Sequence, residues 1–424
     1  MGSEIAQRRL LDTRAVLLKN NLGEHGFKHC EVSGRSVPAV YTQLGEIFRE
    51  PIREAIGHTL VKGAIDPEKV KTARRFYHNL REIEEFTIIN GINPVSDYKD
   101  ALWGMAGGAG LQDYTTFYGA ETPAIVLLTL QDDNRGGCLT GTFRVNDELV
   151  VMSHTEEDAS VLSRVTKTPL VTIHMRGEHL STVTYNDLLP GSATFGASSG
   201  FAVSCDYLRL NDTDTDKGSF INAFSWMVWR LGKNASIADI KKLAEWMMPF
   251  IDGYAINIVK RSDSGKVDAW KITCAQRNMF IEELGGKPGS FLVQSNVIDP
   301  SYRKCAPGLY ALRQREGDMP EGYPEAFEKR LKEATFLAKY FGRALDLKDI
   351  SERYADEIHY FLQNIMSLGA ATPKDWGIAN SFVGVTASAV VGKTYEEGMT
   401  SSIVVNLGPA IKGDTTLQKQ VNFF

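Results

Sequence analysis

The sequence predicts an α+β fold in which two helical layers enclose two mostly antiparallel sheets. Three observations carry this. The first 137 residues place apolar side chains at helical spacing, the segment after Cys138 changes to short alternating runs divided by turn residues, and further helical blocks lie between and after those runs.

The elements follow in order. Residues 37–62 and 67–84 read as helices, the second with Val70, Ala73, Phe76, Tyr77 and Leu80 along one stripe. Met105-Ala106-Gly107-Gly108-Ala109-Gly110 is glycine-rich but lacks the Gly-Lys-Ser/Thr ending of a phosphate loop, so close helix packing is its expected role. The apolar run 124–130, bounded by Pro123 and Asp132, reads as a buried strand. Beyond Cys138 a hairpin turns at Asn146-Asp147-Glu148, and strands are expected at Leu170–Met175, 200–208, 254–260, 267–274 and Phe291–Gln294. Helices are expected at 220–231 and 236–248, where Ser236 and Asp239 stand in capping-box positions. A second helical block covers 323–345 and 347–368, and strands at 381–391 and Ser401–Leu407 close the chain.

With 424 residues, 43% hydrophobic and 23% charged, the composition is that of a globular protein with a large core. A net charge of −5 and the lack of any basic run exclude nucleic acid and anionic membrane as main partners. The five cysteines, Cys30, Cys138, Cys205, Cys274 and Cys305, are spread without a CxxC pair or Cys/His metal spacing. Charges run through the first thirty residues and no later apolar run reaches membrane-spanning length, so a cytoplasmic protein is expected.

Cys138 follows the polar, turn-prone stretch Gln131-Asp132-Asp133-Asn134-Arg135 and two glycines. If its thiol attacked the carbonyl of Gly137, the amide would shift to a thioester, and water would free an α-amine on the residue that carries the sulfur. That amine, titrating near roughly 7.7–8.0, takes the thiol proton without help from a histidine. Gly137 suits the strained turn because it lacks a Cβ. Two other readings stand beside this one. Cys138 is also compatible with an ordinary buried thiol at a strand start, and His154, His174 or His179 could serve a cysteine–histidine dyad, although no local signature selects a pairing.

Several segments around this cysteine occur in a recognisable order. They are Trp103–Gly110 (WGMAGGAG), Gly137-Cys138, Ser153-His154-Thr155-Glu156-Glu157-Asp158, Leu189-Pro190-Gly191, Phe195-Gly196-Ala197 through Ala202-Val203, Leu292-Val293-Gln294-Ser295-Asn296, and Tyr395–Gly398 (YEEG). In these the chain resembles the acyl-coenzyme A:6-aminopenicillanic acid acyltransferase family, cysteine-type N-terminal-nucleophile hydrolases that include β-alanyl-amine hydrolases. The resemblance implies a four-layer αββα sandwich made as a precursor. Cleavage between Gly137 and Cys138 would leave a mainly helical small chain, 1–137, associated with a catalytic chain, 138–424. Cys138 would be the nucleophile, Asn296 the oxyanion donor, and Asp158 the carboxylate near the nucleophile, with Glu156 or Glu157 as substrate-binding or orienting alternatives. Ala197 replaces an asparagine common in the family, and the acyltransferase's arginine in the closing strand has no counterpart.

The implied activity is hydrolysis or formation of a small-molecule amide through an acyl-cysteine, in biosynthesis (secondary metabolism) or catabolism. No cofactor is needed; coenzyme A would enter only as an acyl carrier. The partners would be the small-molecule amide or acyl donor and the chain's own cleaved N-terminal piece. A relative that never cut itself would instead be a ligand-binding or scaffold protein.

Overall fold

The computed structural model describes residues 15–20, 29–61, 67–114, 122–130, 137–157, 170–184, 189–192, 195–208, 219–250, 253–275, 277–296, 302, 331–332, 335–336, 338–340, 342–343, 358–359, 383–394, 397–407 and 418–424. In chain order the strands are β1 Val16–Asn20, β2 His29–Gly34, β3 Gly137–Asn146, β4 Leu149–Glu157, β5 Leu170–Met175, β6 Glu178–Val183, β7 Phe195–Ser198, β8 Phe201–Leu208, β9 Gly253–Arg261, β10 Val267–Ala275, β11 Asn278–Glu283, β12 Phe291–Gln294, β13 Val383–Gly392, β14 Ser401–Leu407 and β15 Gln418–Phe423. The helices are α1 Val37–Ile47, α2 Arg49–Val61, α3 Pro67–Ile83, α4 Pro94–Gly108, α5 Thr122–Leu130, α6 Ile221–Leu231 and α7 Ile237–Met247. The fold is a mixture of α and β elements with largely antiparallel sheets. It divides into two compact units, each assembled from three stretches of chain.

The first unit takes residues 1–134, 167–193 and 222–246. Its strands run β1-β2-β5-β6, and β2 pairs parallel with β5, so a strand before Cys138 is joined directly to one after it. Helix α1 lies on β2 and β5 and packs closely on α4. Glycines make that approach possible. A Cβ on Gly104 would come within 2.7 Å of the Pro38 carbonyl oxygen, and one on Gly108 would run into the Thr42 carbonyl. The glycine-rich stretch is therefore a helix-packing surface, as its sequence suggested. Asn93 caps α4 by accepting from Ser96 N at 3.0 Å, while Arg49 and Arg53 donate to the carbonyls of Gly108, Ala109 and Gly110 at its other end. Arg230, 2% exposed, ties α6 to Asp97 at 2.8 Å and to Glu178 at 2.9 Å. Trp226 Nε1 donates to Tyr41 Oη at 2.9 Å, and Tyr41 in turn donates to the Pro190 carbonyl at 2.6 Å.

One expectation fails here. Residues 124–130 belong to helix α5 and not to a strand, with Ala124–Leu128 wholly buried against α3 and α4. A short run that is apolar on every side fits a buried helix as well as a buried strand, and its alanine and leucines favour the helix. Strands β1 and β2, β6, β11 and β15 went unread, being short or carrying charges. The cap of α7 forms as expected: Ser236 N donates to Asp239 Oδ2 at 2.9 Å and Asp239 N to Ser236 Oγ at 3.1 Å.

The second unit takes residues 135–166, 194–221 and 247–424. It contains the run β7-β8-β9-β10-β11 and a six-stranded sheet, β12-β3-β4-β13-β14-β15. The two pack face to face, with side-chain hydrogen bonds crossing from β3 to β8 and from β14 to β7. On the outer face of the six-stranded sheet, helical backbone at Ile358 and His359 seats the His359 ring between Ser388 Oγ, 2.8 Å, and Ser402 Oγ, 2.7 Å. Most of the helical block expected at 323–345 and 347–368 lies outside the described residues. No helix among the described residues is long and apolar enough to cross a membrane.

Candidate functional site

Strand β3 alternates in the sequence, yet it has no solvent face. Leu139 and Phe143 on one side and Thr140, Thr142 and Arg144 on the other are each at most 1% exposed. The polar side faces β8 across the sandwich, and Cys138 is its first member, buried at 5% exposure. A polar row held away from water must find partners inside the protein. Those partners make the site.

The Cys138 backbone N–H donates to Asn296 Oδ1 at 2.8 Å, and Asn296 Nδ2 donates to the Tyr207 carbonyl at 2.8 Å. A backbone donor on one side and a backbone acceptor on the other define which end of the carboxamide is which. The β12–β3 register ends at Gln294↔Thr140. Two residues further in that register Asn296 would face Cys138, and its side chain supplies the acceptor there after the ladder has stopped. Asn296 is fully buried. The sequence suggested its NH₂ as an oxyanion donor; in this chain its oxygen meets Cys138, while its NH₂ holds β8.

Next along the same face, Thr140 Oγ1 lies 2.8 Å from His154 Nδ1 and 3.2 Å from Ser204 Oγ. His154 Nδ1 is 3.9 Å from Asp206 Oδ1, and Asn257 Nδ2 donates to Asp206 Oδ2 at 3.1 Å. Lys271, paired in register with Asn257, is 2% exposed and reaches Glu282 Oε1 at 2.7 Å and the Val293 carbonyl at 3.4 Å. Sequence reading missed Thr140, Ser204, Asp206, Asn257 and Lys271, and weighed His154 only as a dyad base. Ser204, Asp206 and Asn257 interrupt strands that otherwise read as apolar, which was the available signal, whereas Thr140 and Lys271 lie in strands that carry other polar residues, Thr142 and Arg144 in β3 and Asp268 in β10. The registers Ser204↔Asn257 and Asn257↔Lys271 align the residues of β8, β9 and β10, and the packing of the other sheet on β8 adds Thr140 and His154.

The remaining candidates differ in how they are placed. Gly137 opens β3 opposite Glu157, and Glu156 is the register partner of Cys138. Asp158 lies outside the described residues, as does Cys305. His174 Nε2 bonds Glu31 at 2.6 Å in the first unit, and its ring packs edge-on to His179, whose pKa is lowered by burial and by His174. Burial pushes the thiols of Cys30 and Cys274 up to about 12, with Glu31 adding to the effect at Cys30, so neither is a nucleophile near neutral pH. Among the described residues no group of three or more His, Cys, Asp or Glu is arranged to hold a metal ion.

The arrangement can therefore hold the backbone nitrogen of a cysteine in one orientation beside a buried polar interior. No protein-family model matches the chain, and no curated protein matches it.

Proposed function

We propose that the chain is a self-processing cysteine N-terminal-nucleophile enzyme of the acyl-coenzyme A:6-aminopenicillanic acid acyltransferase type, with an αββα architecture, acting on a small-molecule amide. The observation that carries this is the 2.8 Å hydrogen bond from Cys138 N to Asn296 Oδ1. The nitrogen that would become the catalytic amine is already held, within the sandwich, by a side chain anchored on another strand.

In the first step Cys138 Sγ attacks the Gly137 carbonyl carbon, the C–N bond breaks, and the thiol proton ends on the nitrogen. Water then cleaves the thioester, leaving the Gly137 carboxylate and a free Cys138 carrying both thiol and amine. In turnover the amine takes the thiol proton, Sγ forms an acyl-thioester with the substrate, and the same amine protonates the leaving nitrogen. Asn296 Oδ1, accepting one amine hydrogen, turns the nitrogen lone pair toward its own sulfur. Deacylation by water makes an amidohydrolase and by an amine an N-acyltransferase. The parallel β2–β5 pairing and the Asp97–Arg230 ion pair support continued association of 1–137 with 138–424 after the cut.

The test is the intact mass and N-terminal residue of the matured protein. The expected result is two fragments, the larger beginning at Cys138 and labelled there by an aldehyde that condenses with 1,2-aminothiols, while Cys138→Ala stays a single chain. A wild-type chain that remains whole after full maturation overturns the proposal and favours a ligand-binding or scaffold role.

A further inference from the structure

Two ties join β3 to β8, and they meet on neighbouring residues of β8. One runs from Cys138 N through Asn296 to the Tyr207 carbonyl. The other runs from Thr140 Oγ1 to His154 Nδ1 and on to the Asp206 carboxylate, with Ser204 Oγ beside Thr140 and Asn257 beside Asp206. All five side chains of the second tie are at most 1% exposed. Nothing in the chemistry described above uses it.

We propose that Thr140, His154 and Asp206 are positioning residues for the cleavage: they hold β8 against β3, so that the Tyr207 carbonyl, Asn296 and finally Cys138 N keep their places. This inference rests on the self-processing reading. A carboxylate at 3.9 Å would repel a bare lone pair on His154 Nδ1, so the tautomer with hydrogen on Nδ1 is favoured and donates to Thr140 Oγ1. Thr140 is then free to donate to Ser204 Oγ at 3.2 Å, so the hydrogen-bonded part of the tie, His154 to Thr140 to Ser204, has a direction, and Asp206 acts on it as a charge 3.9 Å from the ring nitrogen. Removing the hydroxyl takes the Thr140 partner from a buried imidazole and a buried serine, and loosens the hold of β3 and β4 on β8. Loosening of that kind reaches the attack geometry because Asp206 and Tyr207 are adjacent. Misplacement by about 1 Å lowers such rates by about 100-fold.

The experiment compares Thr140→Val, which keeps shape without the hydroxyl, with Thr140→Ser, which keeps the hydroxyl. Appearance of the fragment beginning at Cys138 is expected to slow by about 10- to 100-fold in Thr140→Val, with most of the rate rescued in Thr140→Ser. The same substitutions are made in the uncleavable Cys138→Ala chain, where deuterium exchange at the residue 138 amide is expected to quicken by about tenfold for Val and little for Ser. If Thr140→Val does not fold, Asp206→Asn, which keeps shape and an oxygen for Asn257, is expected to act in the same direction. Unchanged exchange at residue 138 in a folded Thr140→Val or Asp206→Asn chain overturns the proposal. A wild-type chain that never cuts defeats the enzyme reading alone, since the exchange measurement still decides whether the tie positions Cys138 N.

Discussion

Replacing Asn296 by alanine separates a residue that positions Cys138 from one that acts only on a developing oxyanion. The side chain makes two hydrogen bonds of 2.8 Å, both to backbone groups, and is itself fully buried. Each such bond contributes about 1 kcal/mol net, and leaving a buried donor or acceptor unpaired costs about 1–3 kcal/mol. Taking the Asn296 partner from both Cys138 N–H and Tyr207 C=O therefore predicts a loss of about 2–4 kcal/mol after partial relaxation. The assay is urea unfolding in the uncleavable Cys138→Ala background, so that processing does not alter the species compared. In the cleavable chain, losing the hold on the nitrogen is expected to slow the cut by about 10- to 100-fold. Asn296→Asp is a sharper variant: it retains an oxygen for Cys138 N but turns a second acceptor on the Tyr207 carbonyl and buries a charge, so it should be less stable than Asn296→Ala. An oxyanion donor with no role in the resting chain would leave the unfolding midpoint and the cut intact. A wild-type midpoint together with a wild-type cleavage rate in Asn296→Ala would refute the positioning role.

Two further outcomes test the scaffold. Gly107 and Gly108 are adjacent in α4, yet alanine should have opposite effects there. A Cβ on Gly107 meets the movable end of Gln112 at 3.3 Å and gains about 0.5–1 kcal/mol of helix propensity, whereas one on Gly108 meets the backbone of α1, including Glu46 N at 2.8 Å, and costs about 1–3 kcal/mol; thermal midpoints shifting in the same direction would refute the packing account. His359 is held neutral, its pKa lowered to about 3 by burial. The unfolded chain takes up a proton near pH 6.5 that the folded chain refuses until about 3, so stability should fall through that window by roughly 1.4 kcal/mol per pH unit. His359→Asn should flatten that slope in thermal melts across the window; an unchanged slope would show that His359 does not set it.

Much of the second unit was legible because period-two alternation and turn residues survive in one sequence. Strand β12 and the hairpin of β3 and β4 fall where alternation and the Asn146-Asp147-Glu148 turn put them, and β5 in the first unit does so too. The helix over Thr122–Leu130 was not legible, since apolarity on every side carries no period. For the site, Cys138 and Asn296 were visible through their motifs. Thr140, Asp206 and Asn257 were not, because a threonine or aspartate in an alternating strand ordinarily marks the solvent face.

The sequence by itself determined the hairpin of β3 and β4 that begins beside Cys138, the glycines that let α1 and α4 approach, the cap of α7, and the one cysteine preceded by two glycines. These are local properties, set by side-chain volume, backbone freedom and hydrogen bonds within a few residues. Only the tertiary structure decided that both faces of β3 are buried, that Asn296, distant in the chain, holds Cys138 N through its oxygen, and that His154 and Asp206 come within 3.9 Å. The physical reason is register across strands far apart in sequence: each pairing is chosen by the packing of two whole sheets, and no window of residues contains it.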